Sequence, residues 1–92
     1  MGLNFEWDRR KEESNATKHG VTFEEASTAF GDPFSVTRWD SFHALDEERF
    51  VLLGRTSRDQ IVVVVHTFRG KNIRIISARR ATRNERRTYE EA

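Results

Sequence analysis

The chain has 92 residues, of which 36% are hydrophobic and 34% charged, with no cysteine and a formal net charge of +1. This length suits one small domain, which we place over residues 1–92. The lack of cysteine excludes disulfides and thiolate metal sites and is typical of the reducing cytoplasm. No apolar run approaches the ~20 residues that cross a bilayer. The N-terminus lacks the basic flank and apolar core of a signal peptide, so we expect a cytoplasmic protein.

The small net charge hides a strong asymmetry along the chain. Residues 1–68 carry 8 Lys/Arg and 12 Asp/Glu, a net −4, whereas residues 69–92 carry 8 Lys/Arg and 3 Asp/Glu, a net +5. Arginine outnumbers lysine 13 to 3, and its planar fork suits bidentate binding of phosphate or carboxylate. A solvated basic surface is the simplest explanation of such a run, but the arginine bias and the C-terminal segregation favour an anionic partner.

Capping signals predict the first elements of the chain. Asp8 can cap a helix that Gly20 terminates in the left-handed conformation. Thr22 and Glu25 form a capping box that begins a second helix. The predicted elements are a strand over residues 3–7, a helix over residues 9–18 and a helix over residues 23–31.

The middle of the chain is predicted to be β, and its end helical. The apolar run over residues 61–65 fits a central strand, and a second capping box of Thr82 and Glu85 begins the last helix. The predicted elements are strands over residues 34–38, 49–56, 60–68 and 72–79, a polar loop over 40–47, and a helix from 82 to 89. The order β-α-α-β-β-β-β-α indicates an α+β fold, with an antiparallel sheet, N-terminal helices and a C-terminal helix.

Alternation sorts the side chains of the strand over residues 72–79. It places odd-numbered residues 73–79 on one face and even-numbered residues 74–80 on the other. Both faces of the strands are apolar, so the sequence alone does not identify the open face. Arg79 lies near the end of its strand, and we expect it to point into a functional site.

Several short motifs together match one known family in order and spacing. They are Phe5-Glu6-Trp7-Asp8, Lys18-His19-Gly20-Val21, Phe23-Glu24-Glu25-Ala26, Phe30-Gly31-Asp32-Pro33, Glu48-Arg49 and the run from Ile73 to Arg80. The chain thereby resembles the BrnT toxins, the toxin half of bacterial type II toxin–antitoxin modules. The resemblance implies a RelE-like α+β fold and RNA cleavage that inhibits translation. It also implies a BrnA-type ribbon-helix-helix antitoxin, with two toxins on an antitoxin dimer, through which promoter DNA is bound.

Metal-free RNA cleavage needs a general base, a general acid and cations that stabilise the transition-state phosphate. Arg79 is the first candidate for the cation. Lys18 and His19, in the Lys-His-Gly motif, could contact phosphate or donate a proton, or could simply terminate the helix. Glu48 could act as base or hold an arginine, and Arg49 could be a second phosphate ligand. The alternative for both is a solvated acidic loop.

Further candidates would bind RNA without taking part in the chemistry. They are Arg55, Thr67, Ser77, Arg80, Arg83, Arg87 and Tyr89. Tyr89 could stack on a base, worth ~1–3 kcal/mol, or pack its ring on the sheet. His66 has an ordinary pKa near ~6.5 that suits proton transfer, but packing among valines is the simpler interpretation. His43 receives no role. The three histidines share no ligand spacing with a carboxylate, so no metal or other cofactor is expected.

A second hypothesis is a binding module without chemistry. Such a module would grip RNA, or would serve with an antitoxin as a co-repressor. The lack of a recognisable acid–base pair favours it. Direct DNA recognition by this chain is disfavoured, because no helix-turn-helix, zinc finger or basic zipper is present.

Overall fold

The computed structural model describes residues 2–40 and 48–91. The elements are β1 (Asn4–Glu6), α1 (Arg9–His19), α2 (Phe23–Thr28), β2 (Val36–Asp40), β3 (Arg49–Arg55), β4 (Ile61–Arg69), β5 (Asn72–Arg80) and α3 (Arg83–Glu91). A short 3-10 turn, Ala29–Gly31, follows α2. The predicted order of elements is confirmed. The first strand of the middle region is shifted to Val36–Asp40, and the predicted polar loop, with His43, lies outside the described residues apart from Asp40.

The strands form one sheet in the order β1-β5-β4-β3-β2. The valine-rich strand β4 is therefore central, as its apolar pattern predicts. The pairs β2–β3, β3–β4 and β4–β5 are antiparallel, whereas β1 pairs with β5 in parallel over three positions. Glu6 of β1 accepts hydrogen bonds from Asn72 at 3.0 Å and Arg74 at 2.8 Å, which anchors this short edge strand.

The predicted helix caps are present in the structure. Asp8 accepts hydrogen bonds from two backbone amides of the first turn of α1, at 2.8 and 3.2 Å. Gly20 adopts φ 70°, and its amide donates to the Ala16 carbonyl, which closes the end of the helix. The Thr22 hydroxyl accepts from the Glu25 amide at 3.0 Å. Within the described residues, no helix has the length and apolar character needed to cross a membrane.

The two N-terminal helices cover one face of the sheet and form the hydrophobic core with it. The core residues are Val21, Phe23, Ala26, Ala29, Leu52, Val62, Val64, Ile75 and Ala78. Trp7 packs edge-on against Phe23 with ring centroids 6.0 Å apart, and Phe5 does the same against Phe30 at 5.1 Å. The aromatic residues of the first strand and helices thus seal this side of the sheet.

His66 belongs to the same packed face. Its side chain is 2% exposed and lies against Phe30, with ring centroids 4.7 Å apart. Its Nδ1 lies 3.2 Å from the Val64 carbonyl, to which the ring N–H donates. Burial lowers the pKa of His66 and favours the neutral ring. The packing interpretation is therefore confirmed, although the ring neighbours are phenylalanines as well as valines.

Asn15 joins α1 to the free side of β5. Its Oδ1 accepts from the Ala78 amide at 3.1 Å, and its Nδ2 donates to the Ala78 carbonyl at 2.7 Å and the Val21 carbonyl at 3.0 Å. The side chain is 7% exposed. One buried amide therefore pairs with β5 as a neighbouring strand would, beyond the point where β1 ends.

We expect Asn15→Ala to destabilise the protein by about 3 kcal/mol, because it leaves buried backbone groups of Ala78 and Val21 without partners. Thr17→Ala, at an exposed position on the same helix, is the control and should cost less than about 0.5 kcal/mol. Urea unfolding of the purified variants measures both changes. Equal stabilities for the two variants would show that water replaces the Asn15 side chain.

Candidate functional site on the open face of the sheet

A β-bulge at Ile76 determines toward which face of the sheet the side chains at each end of β5 point. Ser77 pairs with Val65, but the next pair is Ile75 with His66, so Ile76 has no partner across the ladder. Ile75 therefore faces the helices, as Ala78 and Arg80 do, whereas Ser77 and Arg79 face the other way. The prediction from strict alternation is wrong across this point, because the extra residue inverts the parity of the strand.

The face opposite α1 and α2 is here called the open face. Its side chains include those of Val36, Arg38, Asp40, Arg49, Val51, Leu53, Val63, Val65, Thr67, Arg74, Ser77 and Arg79. Helix α3 lies against one end of it, where Glu85 and Thr88 join Val36, Val51 and Leu53 around a pocket of about 140 Å³. The open face combines aliphatic residues at its centre with arginines at its rim, and neither α1 nor α2 covers it.

Arg79 is held on this face by Glu85. Its two terminal nitrogens donate to the two carboxylate oxygens of Glu85, at 2.8 and 2.9 Å, in a bidentate pair. The pair raises the pKa of Arg79 and, with burial opposing, lowers the pKa of Glu85 from 4.5 to about 2. The Arg79 side chain is 42% exposed, so the guanidinium is fixed in direction but still reaches solvent.

Glu85 is also part of the cap of α3. It accepts a hydrogen bond from the Thr82 amide at 2.8 Å, and its own amide donates to the Thr82 hydroxyl at 3.2 Å. The predicted capping box is thereby confirmed. The Glu85 carboxylate thus caps the start of α3 and also orients Arg79. The sequence pattern predicts the cap but not the contact with Arg79.

Arg49 lies at the other end of the open face. It stands opposite Asp40 in the β2–β3 ladder, and its Nε is buried without a hydrogen-bond partner among the described residues. Buried donors of this kind are uncommon and often mark functional sites. Glu48 precedes the strand with an exposed side chain, and its backbone carbonyl accepts a hydrogen bond from the buried Thr67 hydroxyl. Within the described residues, only Arg49 of this pair belongs to the open face.

Ser77 and Arg38 are two further polar residues of the open face. Ser77 is partly exposed, two residues before Arg79 on the same face. Arg38 is exposed opposite Val51 on β2 and lines the pocket beside Glu85. Sequence reasoning missed Arg38, whose alternation with Val36 would have placed it once the open face was known.

Lys18, His19 and Arg80 belong to the opposite side of the sheet. The first two are exposed at the end of α1. Arg80 points toward the same helix end, since a Cβ added at Gly20 would lie 3.9 Å from its guanidinium. Neighbouring Arg79 and Arg80 thus serve different faces, and the structure does not group Lys18 or His19 with Arg79.

Tyr89 and Arg55 attach the end of α3 to the rest of the fold. Tyr89 is 8% exposed, and its hydroxyl donates to Asp32 at 2.6 Å. Burial and this bond raise the pKa of Tyr89. The Arg55 guanidinium lies 5.6 Å from the Tyr89 ring centre and pairs with Asp59 at 2.6 Å. In this conformation the Tyr89 ring packs against the protein and is not displayed for stacking.

Asp32 organises this junction and was missed as an important residue. Its carboxylate accepts hydrogen bonds from the Phe34 amide and the Arg55 amide, both at 2.9 Å, in addition to the Tyr89 hydroxyl. In the sequence Asp32 stands out only as part of the motif Phe30-Gly31-Asp32-Pro33. Arg83 and Arg87 lie on the exposed side of α3, away from this junction.

The fold is that of a small α+β protein. Its two N-terminal helices cover one face of the sheet, and the other face carries arginines and the C-terminal helix. A family model for the ribonuclease toxin BrnT of type II toxin–antitoxin systems matches residues 7–85. The chain therefore belongs to the BrnT family of ribonuclease toxins.

Among solved structures, the fold is similar to the 1.1 Å crystal structure of the Brucella abortus ribonuclease toxin, BrnT. The TM-score is 0.65 and the sequence identity 21%, over 89% of this chain and 100% of that chain. At this identity the likeness shows the fold alone. No curated protein matches the chain.

We expect Glu85→Gln to test the ion pair, because glutamine can still cap α3 but carries no charge. The folded pKa of about 2 lies below the ordinary 4.5, so the pair stabilises the protein above pH 4.5 and is lost as pH falls toward 2. The variant should lose about 1–2 kcal/mol of unfolding free energy at neutral pH, allowing for partial exposure, and little near pH 2. Urea unfolding at both pH values, with Glu91→Gln as control, measures this. A pH-independent loss would contradict it.

Tyr89→Phe separates anchoring from base stacking, because it keeps the ring and removes the bond to Asp32. We expect a loss of about 1–2 kcal/mol in unfolding free energy with unchanged RNA affinity. Thermal unfolding and fluorescence anisotropy with a labelled RNA measure the two quantities. Normal stability with weaker RNA binding would instead place the hydroxyl on the substrate.

Proposed function

We propose that the protein cleaves RNA on the open face without a metal ion and thereby inhibits translation in the cytoplasm. The observation that carries this proposal is the fixed position of Arg79, which Glu85 orients while part of the guanidinium remains open to solvent. A preorganised cation needs no rearrangement when negative charge develops on the phosphate. Within residues 2–40 and 48–91, no three His, Asp or Glu side chains are grouped as metal ligands would be.

In this proposal four polar groups of the open face have distinct tasks. Arg79 stabilises the charge of the phosphate as the 2′-oxygen bonds to phosphorus and the bond to the 5′-oxygen breaks. The proton of the 2′-hydroxyl passes to water, and water protonates the leaving 5′-oxygen. The Ser77 hydroxyl, two residues away on the same face, orients a phosphate or ribose oxygen. Arg38 and Arg49 bind phosphates through their terminal guanidinium nitrogens. RNA would cross strands β5, β4, β3 and β2 between them.

The other candidates have weaker places in this proposal. Lys18, His19 and Arg80 would act only on RNA that wraps round the sheet edge. Arg83 and Arg87 would add long-range attraction along α3, which weakens as salt rises. Arg55, Thr67 and Tyr89 are assigned to structure, since each is engaged within the protein.

The family implies an antitoxin partner. We further propose that this partner is a BrnA-type ribbon-helix-helix protein, that two toxins sit on an antitoxin dimer, and that promoter DNA is bound only through it. Covering the open face would silence the toxin by excluding RNA from Arg79.

Arg79→Ala should reduce RNA cleavage by about 10²–10³-fold and abolish growth inhibition, because the transition-state phosphate loses its fixed cation. Cleavage is measured with purified toxin and labelled RNA in the presence of EDTA. Arg9→Ala, which removes an exposed arginine from α1, is the matched control and should cleave normally.

The double variant Arg79→Ala/Glu85→Gln separates catalysis from folding. Arg79→Ala alone leaves the Glu85 charge unpaired, and the second change removes that charge, so stability should recover while cleavage does not. Recovered cleavage would refute a catalytic role for Arg79. Binding of RNA by the wild type without cleavage products would favour the co-repressor hypothesis.

A further inference from the structure

The two edges of the sheet are treated differently by the fold. On one side, β1 is only three residues long, and beyond it the Asn15 side chain pairs with Ala78 of β5. On the other side, β2 runs over Val36–Asp40 without proline or a bulge, and its two charged residues, Arg38 and Asp40, both lie on the open face. Within the described residues, no strand pairs with the outer side of β2.

The hydrogen-bond pattern shows which groups of β2 are free for pairing. The backbone amide and carbonyl of Ala78 bond to Asn15 and therefore point away from β4. Val64 stands opposite Ala78, so its own amide and carbonyl point to Leu52 of β3. The amide and carbonyl of Leu52 consequently point to β4 and away from Thr37, its neighbour in β2. By the same alternation, the amides and carbonyls of Thr37 and Trp39 point outward, whereas those of residues 36, 38 and 40 bond to β3.

The side chains along this edge favour a particular partner. On the open face, Val36 borders the pocket of about 140 Å³ and Arg38 presents an exposed guanidinium. On the other face, Trp39 is 58% exposed. A strand added here would therefore place an aliphatic side chain at the pocket and, two positions along, a carboxylate beside Arg38.

We propose that an extended segment of the antitoxin adds as a sixth strand to the outer edge of β2. The segment carries an aliphatic and an acidic residue two positions apart, and both side chains lie on the open face. This inference rests on the proposed function, since the added strand would fill the pocket beside Arg79 and block RNA there. Recognition through the backbone also explains why neither a proline nor a bulge interrupts this strand.

Amide hydrogen exchange by NMR, on the toxin alone and in complex with the module's own antitoxin, tests this pairing residue by residue. The outward amides of Thr37 and Trp39 should exchange at least tenfold more slowly in the complex. The Arg38 amide, already bonded to β3, is the internal control and should change much less. A complex in which Thr37 and Trp39 keep their free exchange rates would overturn the proposal.

Thr37→Pro gives an independent test by binding. Proline removes one outward amide without breaking the bonds between β2 and β3, and Thr37→Val is the matched control that retains the amide. The proline variant should bind the antitoxin at least tenfold more weakly by calorimetry, and the valine variant within about twofold of wild type. Equal binding by both variants would overturn the proposal, provided that thermal unfolding shows both to be folded.

Two further outcomes are separated by the same measurements. A doubled molecular mass at high concentration would show that the toxin alone dimerises. If the Thr37 and Trp39 amides become protected in that dimer, a second copy of the chain occupies the edge and the antitoxin assignment is wrong. RNA cleavage by free Thr37→Pro toxin should equal that of the wild type. If neither the wild type nor Thr37→Pro cleaves RNA, the proposed function is wrong, whereas the result on strand addition is unaffected.

Discussion

The carboxylate of Glu85 is the group on which the arrangement of the open face depends. It caps α3, holds Arg79 by two hydrogen bonds and closes one side of the pocket on the open face. These roles reinforce one another, because a helix that starts elsewhere would release the arginine, and a released arginine would leave a partly buried charge. The cation is thus positioned by the same contact that docks the last helix. A separate anchor, Tyr89 on Asp32, fixes the far end of that helix.

The two faces of the sheet divide the work of the protein. One face buries aliphatic and aromatic residues under α1 and α2 and supplies most of the stability, since apolar burial is the main favourable contribution in a domain of this size. The other face keeps its centre aliphatic and partly exposed and carries arginines at the rim. Such a face is costly to leave open, and membership of a toxin–antitoxin family gives a reason for it. In the function proposed above, the same surface accepts the RNA and is covered by the antitoxin.

Local signals made much of the fold predictable. Thr22 and Thr82 begin helices as the capping boxes indicate, and the valine run of β4 lies at the centre of the sheet. The site was less accessible, because it depends on contacts between distant elements. No glycine or proline marks the bulge at Ile76, so alternation assigned the faces of β5 wrongly at one end. The capping box identifies Glu85 as a cap but not as the partner of Arg79. The family motifs place Lys18, His19 and Arg79 in one candidate site, although the sheet separates the first two from Arg79.

The bulge at Ile76 lets one strand separate residues that regular alternation would place together. In an uninterrupted strand of this sequence, Ile73, Ile75, Ser77 and Arg79 would share a face, so either the two isoleucines would leave the core or Arg79 would lie under the helices. The extra residue resolves this conflict, because it keeps Ile73 and Ile75 toward the helices and turns Ser77 and Arg79 to the open face. Removing Ile76 would give the same division, since Ser77 would then follow Ile75 in regular alternation. The two halves of β5 are therefore matched to the two faces independently, and the bulge joins them.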